Sequence, residues 1–193
     1  CAGLLLLPSR GAAALQQYLK VGVNIHLPPY QFLNESGNCA GMHVDMLDRI
    51  AADKEFVLDY LPYETSRECL AALESGEVDV ILGVVNDFTD GKSFANTYSI
   101  STSQLCMIVR NEDLDQNTAP LFNTAVYVSD TVLHSSLLAN LGVSQFISVG
   151  NQQAVYETQL EHSRTAMVGI KNSLIYQLTE HGVSDDYTVL RNY

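Results

Sequence analysis

Between Gly76 and Asn86 the chain offers Val78-Asp79-Val80-Ile81-Leu82-Gly83-Val84-Val85, an apolar run of strand length rich in β-branched residues. A strand this apolar needs cover on both faces, so it belongs in the middle of a parallel sheet with helical cover. The flanks agree. Leu70 and Leu73 lie on one side of a short preceding helix that breaks at Gly76. Asn86, Asp87, Thr89, Asp90 and Gly91 follow as a polar loop at the carboxyl end of the strand, where open α/β sheets place their ligands. A second apolar strand, Leu105 to Val109, then leaves for another part of the molecule.

Upstream, Leu19, Val21, Val23 and Ile25 alternate with Lys20, Gly22 and Asn24 as a first strand, ending at Pro28-Pro29. Tyr30 and Phe32 follow on a loop, placed either to stack on a ligand or to cap the core. Val44, Leu47, Ile50 and Ala51 share a helical face, with Asp45 near the positive end of the helix dipole. Phe56 to Leu61 is a second strand closed by Pro62, and Ser66 is placed to cap the helix that leads to Ser75. Strand, helix, strand, helix, strand describes a parallel sheet with helical cover.

The same architecture recurs after Asn111. Strands at Ala125 to Val128, Phe146 to Val149, Thr165 to Ile170 and Tyr187 to Leu190 alternate with helices at Thr131 to Leu141, Gln152 to Leu160 and Ser173 to Glu180. LESGEVDVILG (Leu73 to Gly83) and LEHSRTAMVGI (Leu160 to Ile170) correspond as helix end, turn and apolar strand. Two α/β lobes of about 85 residues each are implied, with a cleft between them.

The 193 residues are 47% hydrophobic, which suffices for two small lobes. A net charge of −12, with ten scattered Lys and Arg, excludes a phosphate-binding surface for nucleic acid. Cys1, Cys39, Cys69 and Cys106 form no CxxC pair, and the five histidines form no i, i+4 pair, so no metal site is expected. Cys69 and Cys106 fall within a helix and a strand and read as buried free thiols. Residues 1–18 differ in composition: CAGLLLLPSRG before Ala12-Ala13-Ala14 reads as the trailing half of a secretory signal, as the outer end of a membrane anchor, or as a short buried helix. An extracytoplasmic location follows from the first two. No phosphate loop, nucleophile elbow or metalloprotease motif is present, which favours a binder over an enzyme.

Four segments together resemble a known family: Val21-Gly22-Val23; Pro28-Pro29-Tyr30-x-Phe32; Gly41-x-x-Val44-Asp45-x-Leu47; and Leu70-x-x-Leu73-x-x-Gly76-x-Val78-Asp79-Val80-Ile81-x-Gly83. The family is the extracellular solute-binding proteins of family 3, whose type II clamshell domains serve amino-acid ABC importers and act as sensory heads of membrane kinases and cyclases. The resemblance implies a two-lobed, periplasmic-binding-protein-like α/β fold with lobe 1 at 19–105, a hinge strand at 106–110 and lobe 2 at 111–193. Members of the family return from lobe 2 to lobe 1 through a second hinge strand and a helix, and Tyr193 falls before that return, as in a truncated chain or a shortened variant of the domain. No cofactor is implied.

Where the family places a carboxylate-clamping arginine, this chain carries Lys92, which attracts a carboxylate without the planar fork of arginine. Where the family places an ammonium-binding aspartate, it carries Lys171, which disfavours an α-amino group and favours a dicarboxylate or another anion, unless both lysines point into water. Ser129-Asp130-Thr131 falls at the family's helix-opening turn, an anion site in relatives or here an N-cap. The expected ligand-binding residues are thus Tyr30, Phe32, Asn86, Asp87, Lys92, Thr131 and Lys171. The expected partners are a small solute such as an amino acid or dicarboxylate, and an ABC permease or fused signalling domains at a membrane. The rival reading is an enzyme on the same scaffold, resembling cyclohexadienyl dehydratases, with Asp87 or Asp90 as its acid.

Overall fold

The computed structural model describes residues 17–83, 94–114, 125–129, 146–162 and 165–192. The expected strand portion Val84-Val85, the polar loop from Asn86 to Lys92 and the helix Thr131 to Leu141 lie outside them.

Among the described residues the first sheet has three parallel strands in the order β5-β1-β6, with β1 at Gln17–Asn24, β5 at Phe56–Tyr63 and β6 at Val80–Ile81. Among the described residues the middle position belongs to β1, which carries partners on both edges. Val21 and Val23 are wholly buried against Val44 of helix α1 (Met42–Lys54). On the opposite face, a Cβ at Gly22 would stand 3.1 Å from Ile81 and 3.3 Å from Tyr63, so any side chain there would press on both of these neighbours. Helix α2 (Ser66–Ser75) covers that second face through Ser66, which meets Asn24.

Three local expectations are corrected. Strand β5 runs through Pro62 to Tyr63, since β5 lies at the end of the sheet and its outer edge requires no N–H donor. The cap of α2 is Thr65, whose hydroxyl accepts from Glu68 N while the Glu68 carboxylate accepts from Thr65 N. Ser66 is therefore the first helical residue, and its hydroxyl is taken by Asn24. Ile50 is 46% exposed, outside the buried face formed by His43, Val44 and Ala51.

A small antiparallel ribbon follows β1: β2 (His26–Leu27), β3 (Gln31–Leu33) and β4 (Cys39–Ala40). Its return to α1 passes Gly41, where φ is 117° and a Cβ would lie 2.4 Å from the Tyr30 carbonyl oxygen. Only glycine fits that crossing.

The second sheet has five strands, ordered β11-β7-β10-β8-β9. They are β7 (Leu105–Arg110), β8 (Ala125–Ser129), β9 (Phe146–Val149), β10 (Thr165–Ile170) and β11 (Tyr187–Asn192). It is parallel across β10, β8 and β9 and antiparallel where β7 meets β10 and β11. The strand read as leaving for another part of the molecule is thus an integral member of this sheet. Strand β10 is buried along its whole length, as the apolar run after Thr165 requires. One face gathers Met107, Val109, Val126, Val128, Ala166 and Val168; the other packs Cys106, Ile108, Tyr127 and Met167 against helices α3 (Gln152–Glu161) and α4 (Lys171–Glu180).

Candidate functional site

The carboxyl ends of the two sheets meet. Strand β1 delivers Asn24 and the ribbon beyond it, while β10 delivers Ile170 and the first turn of α4. Leu27 and Tyr30 pack on Ile170, with Leu105 against them, closing the floor between the halves. Above that floor Asn172 Nδ2 donates to the Tyr30 hydroxyl at 2.9 Å, and the rings of Phe32 and Tyr176 face each other with centroids 6.4 Å apart. A cavity of about 280 Å³ opens beside them, lined chiefly by His26, Phe32, Leu33, Gln153 and Tyr176. Its walls are mostly apolar with a few polar groups, as small-molecule clefts are.

The residues expected at the site distribute as follows. Tyr30 is 3% exposed and belongs to the floor, its ring 5.0 Å from that of His43. Phe32 is half-buried and lines the cavity. Lys171 is the half-buried first residue of α4, its backbone N–H donating to Gln104 O at 2.8 Å. Asn86, Asp87, Lys92 and Thr131 lie outside the described residues, as do Asp90 and Asp130. Ser129, at the carboxyl end of β8, is 1% exposed, and its hydroxyl has no hydrogen-bond partner among the described residues.

Behind the ribbon lies a polar network that periodicity does not reveal. Gln31, fully buried, accepts from Asn24 N through Oε1 at 3.0 Å and donates through Nε2 to Leu82 O at 3.1 Å. Its Nε2 also faces His43 Nδ1 at 3.4 Å. An amide nitrogen only donates, so His43 Nδ1 is the acceptor and Nε2–H donates to Ser101 Oγ at 3.3 Å. Burial holds this imidazole below the usual histidine range, hence neutral. Donating to Ser101 in this way, His43 is not a base for that hydroxyl. Gly83, with φ 56°, closes the network: a Cβ there would stand 2.6 Å from the His43 ring. The motif Pro28-Pro29-Tyr30-x-Phe32 contained the clue in its unassigned position, Gln31.

Cys69 and Cys106 are buried free thiols, and burial pushes them up to about 12 and about 11 respectively. No cluster of His, Cys, Asp and Glu suited to a metal occurs among the described residues. Among the described residues no helix is long and apolar enough to cross a membrane.

Two sheets, strand tips facing each other and a cavity between them define a clamshell. The model of the bacterial extracellular solute-binding proteins, family 3, matches residues 19–187. The chain belongs to that family. Solved structures share its fold. A histidine kinase sensor domain with similarity to periplasmic binding proteins has a TM-score of 0.75 at 18% identity, covering 92% of this chain and 78% of that one. An ancestral arginine-binding protein bound to arginine gives 0.73 at 16% identity, covering 92% and 80%. A periplasmic His/Glu/Gln/Arg/opine family-binding protein from Silicibacter pomeroyi, in complex with lysine, gives 0.70 at 14% identity, covering 91% and 77%. No curated protein sequence matches the chain. The fold is the two-lobed, type II periplasmic-binding-protein-like α/β clamshell.

Proposed function

We propose that this chain is an extracytoplasmic solute-binding domain that shuts on a small polar, anionic ligand and serves as the sensory head of a membrane signalling protein. The observation that carries the reading is the cavity where β1 and β10 end face to face, beneath Phe32, Tyr176, His26 and Gln153. Lys171 stands at the mouth of α4, where a cation suits a carboxylate rather than an ammonium group. The buried Ser129 hydroxyl, without a partner among the described residues, supports a ligand oxygen near the end of β8. The arginine and lysine held by two of the structural neighbours each bear a carboxylate, the group that a cation at Lys171 attracts, and a dicarboxylate offers two of them without an ammonium group.

The sensory role rests on the departures at Lys92 and Lys171 from an ordinary amino-acid site and on the likeness to a kinase sensor domain. An importer's receptor is the other role within the class. A kinase or cyclase fused to or encoded beside this chain supports sensing; a neighbouring permease and ATPase supports import. Calorimetric titration with amino acids, dicarboxylates and sugars tests the binding itself. A dicarboxylate should bind at one site, and Lys171→Met should weaken it about tenfold. Binding of a sugar alone, or affinity unchanged in Lys171→Met, would contradict the anionic assignment.

A further inference from the structure

Two aromatic rings from opposite lobes line the cleft cavity without forming a settled pair. Phe32 is held on β3 between His26 of β2 and Ala40 of β4, and Tyr176 stands on α4 one turn beyond Asn172, whose side chain meets the Tyr30 hydroxyl. Their centroids are 6.4 Å apart and their planes are inclined by 34°. At that tilt the pair is not edge-to-face, and at that separation the two faces are not in contact. Seating a flat ring between them, with carbon at about 3.5 Å on each face, needs centroids about 7 Å apart. A parting of the lobes by about half an ångström supplies that room.

The rest of the cavity wall says what its occupant lacks. Ile25, Pro28 and Leu33 are apolar, and among the described residues no carboxylate, lysine or arginine lines the space. The remaining side chains, His26 and Gln153, already face each other across the cleft at 2.9 Å, and the Gln153 amide nitrogen is taken by Glu157 at 2.7 Å. Such a cavity offers few hydrogen bonds and no counter-charge. A carboxylate buried in it would lose its hydration without gaining a cation, so the charge of the solute belongs at the first turn of α4, beside Lys171. What fills the cavity is uncharged and apolar, and a short aliphatic diacid has nothing of that kind to put there. A branched aliphatic group would be served as well by leucine walls; two aromatic walls add a preference for a flat π-system beyond the area they cover. We infer that the solute carries an aromatic ring next to its carboxylate, and that Phe32 and Tyr176 close on the two faces of this ring as the lobes shut. The inference rests on the solute-binding reading and narrows its ligand from small anions to aryl carboxylates.

Calorimetric titration with phthalate and with cis-cyclohexane-1,2-dicarboxylate separates the ring from the charge, since the two diacids share their carbon skeleton and their paired carboxylates and differ in flatness. Phthalate should bind about tenfold more tightly. Phe32→Leu and Tyr176→Leu keep an apolar wall and should each bring the two affinities within about threefold of one another, whereas Tyr176→Phe should retain the preference. In nuclear magnetic resonance spectra the ring protons of bound phthalate should move upfield, as protons above an aromatic face do, and the shift should shrink in Tyr176→Leu. Equal affinities for the flat and the saturated diacid, or a preference that survives both leucine variants, would overturn the ring slot and leave solute binding in place. Silence with phthalate in a chain that binds succinate would overturn it too. Phthalate bound with the expected preference but unaffected by Lys171→Met would keep the ring slot and remove the anionic assignment.

Discussion

Gln31 and His43 share a buried network in which each hydrogen-bonding atom has one geometry that satisfies it. Replacing Gln31 by Leu leaves Asn24 N and Leu82 O without their partner inside lobe 1, and should cost about 2–4 kcal/mol in urea-induced unfolding. The neutral His43 adds a pH signature. Its folded-state affinity for protons lies below the unfolded one, so its contribution is complete above the ordinary histidine pKa of about 6.5 and is lost as pH falls through the folded value. Unfolding free energy should therefore decline on acidification below about pH 6.5, and less steeply in His43→Gln. The thiols act at the other end of the scale. With Cys69 and Cys106 pushed up to about 12 and about 11, their contribution is complete below about pH 9 and disappears as pH rises toward those values. At pH 8 the half-buried Cys39 should alkylate before Cys69 and Cys106 in the folded chain, as mass spectrometry of iodoacetamide-treated protein would register.

Helix α2 illustrates what a pattern of apolar residues reveals and what it leaves out. Leu70 and Leu73 place the helix, and Gly76 ends it in a left-handed turn with φ 75°. The start depends on a reciprocal pair of hydrogen bonds between Thr65 and Glu68, and Thr and Ser stand side by side in the sequence with equal claim to the cap. Thr65→Ala should cost about 1 kcal/mol, whereas Ser66→Ala should be felt through Asn24; equal, negligible losses in thermal unfolding of both would contradict the assignment. Strand β10 was readable from its run Ala166-Met167-Val168-Gly169-Ile170, since a wholly buried strand is apolar along nearly all its length. Strand β1 was readable as a strand but not as the centre of its sheet, because alternation with Lys20, Gly22 and Asn24 resembles a half-exposed edge. Its second face is covered through a glycine and a satisfied asparagine, which no hydrophobic pattern announces. The cleft was legible as a place, from strand tips and the family motif. Its cross-lobe pairs, His26 with Gln153 and Tyr30 with Asn172, join residues more than a hundred positions apart and left no local signal.

At the scale of the whole molecule, the halves are held together by a modest set of contacts beside the strand connections. Among the described residues, two cross-lobe side-chain hydrogen bonds and one aromatic contact, each contributing about 0.5–1.5 kcal/mol, stand beside the apolar floor of Leu27, Tyr30 and Ile170. A ligand that prefers the shut arrangement by a similar amount is enough to shift the population decisively, which a sensor or a receptor requires. Breaking one latch should therefore loosen closure without unfolding either sheet: Asn172→Ala should lower solute affinity several-fold while leaving the melting temperature within a few degrees. The most direct measurement of the central claim is calorimetric titration of the chain with a dicarboxylate, run alongside small-angle scattering of the same samples. The account predicts saturation at one ligand per chain, accompanied by a smaller radius of gyration. Heat-silent titrations across amino acids, dicarboxylates and sugars, with an unchanged radius, would contradict it.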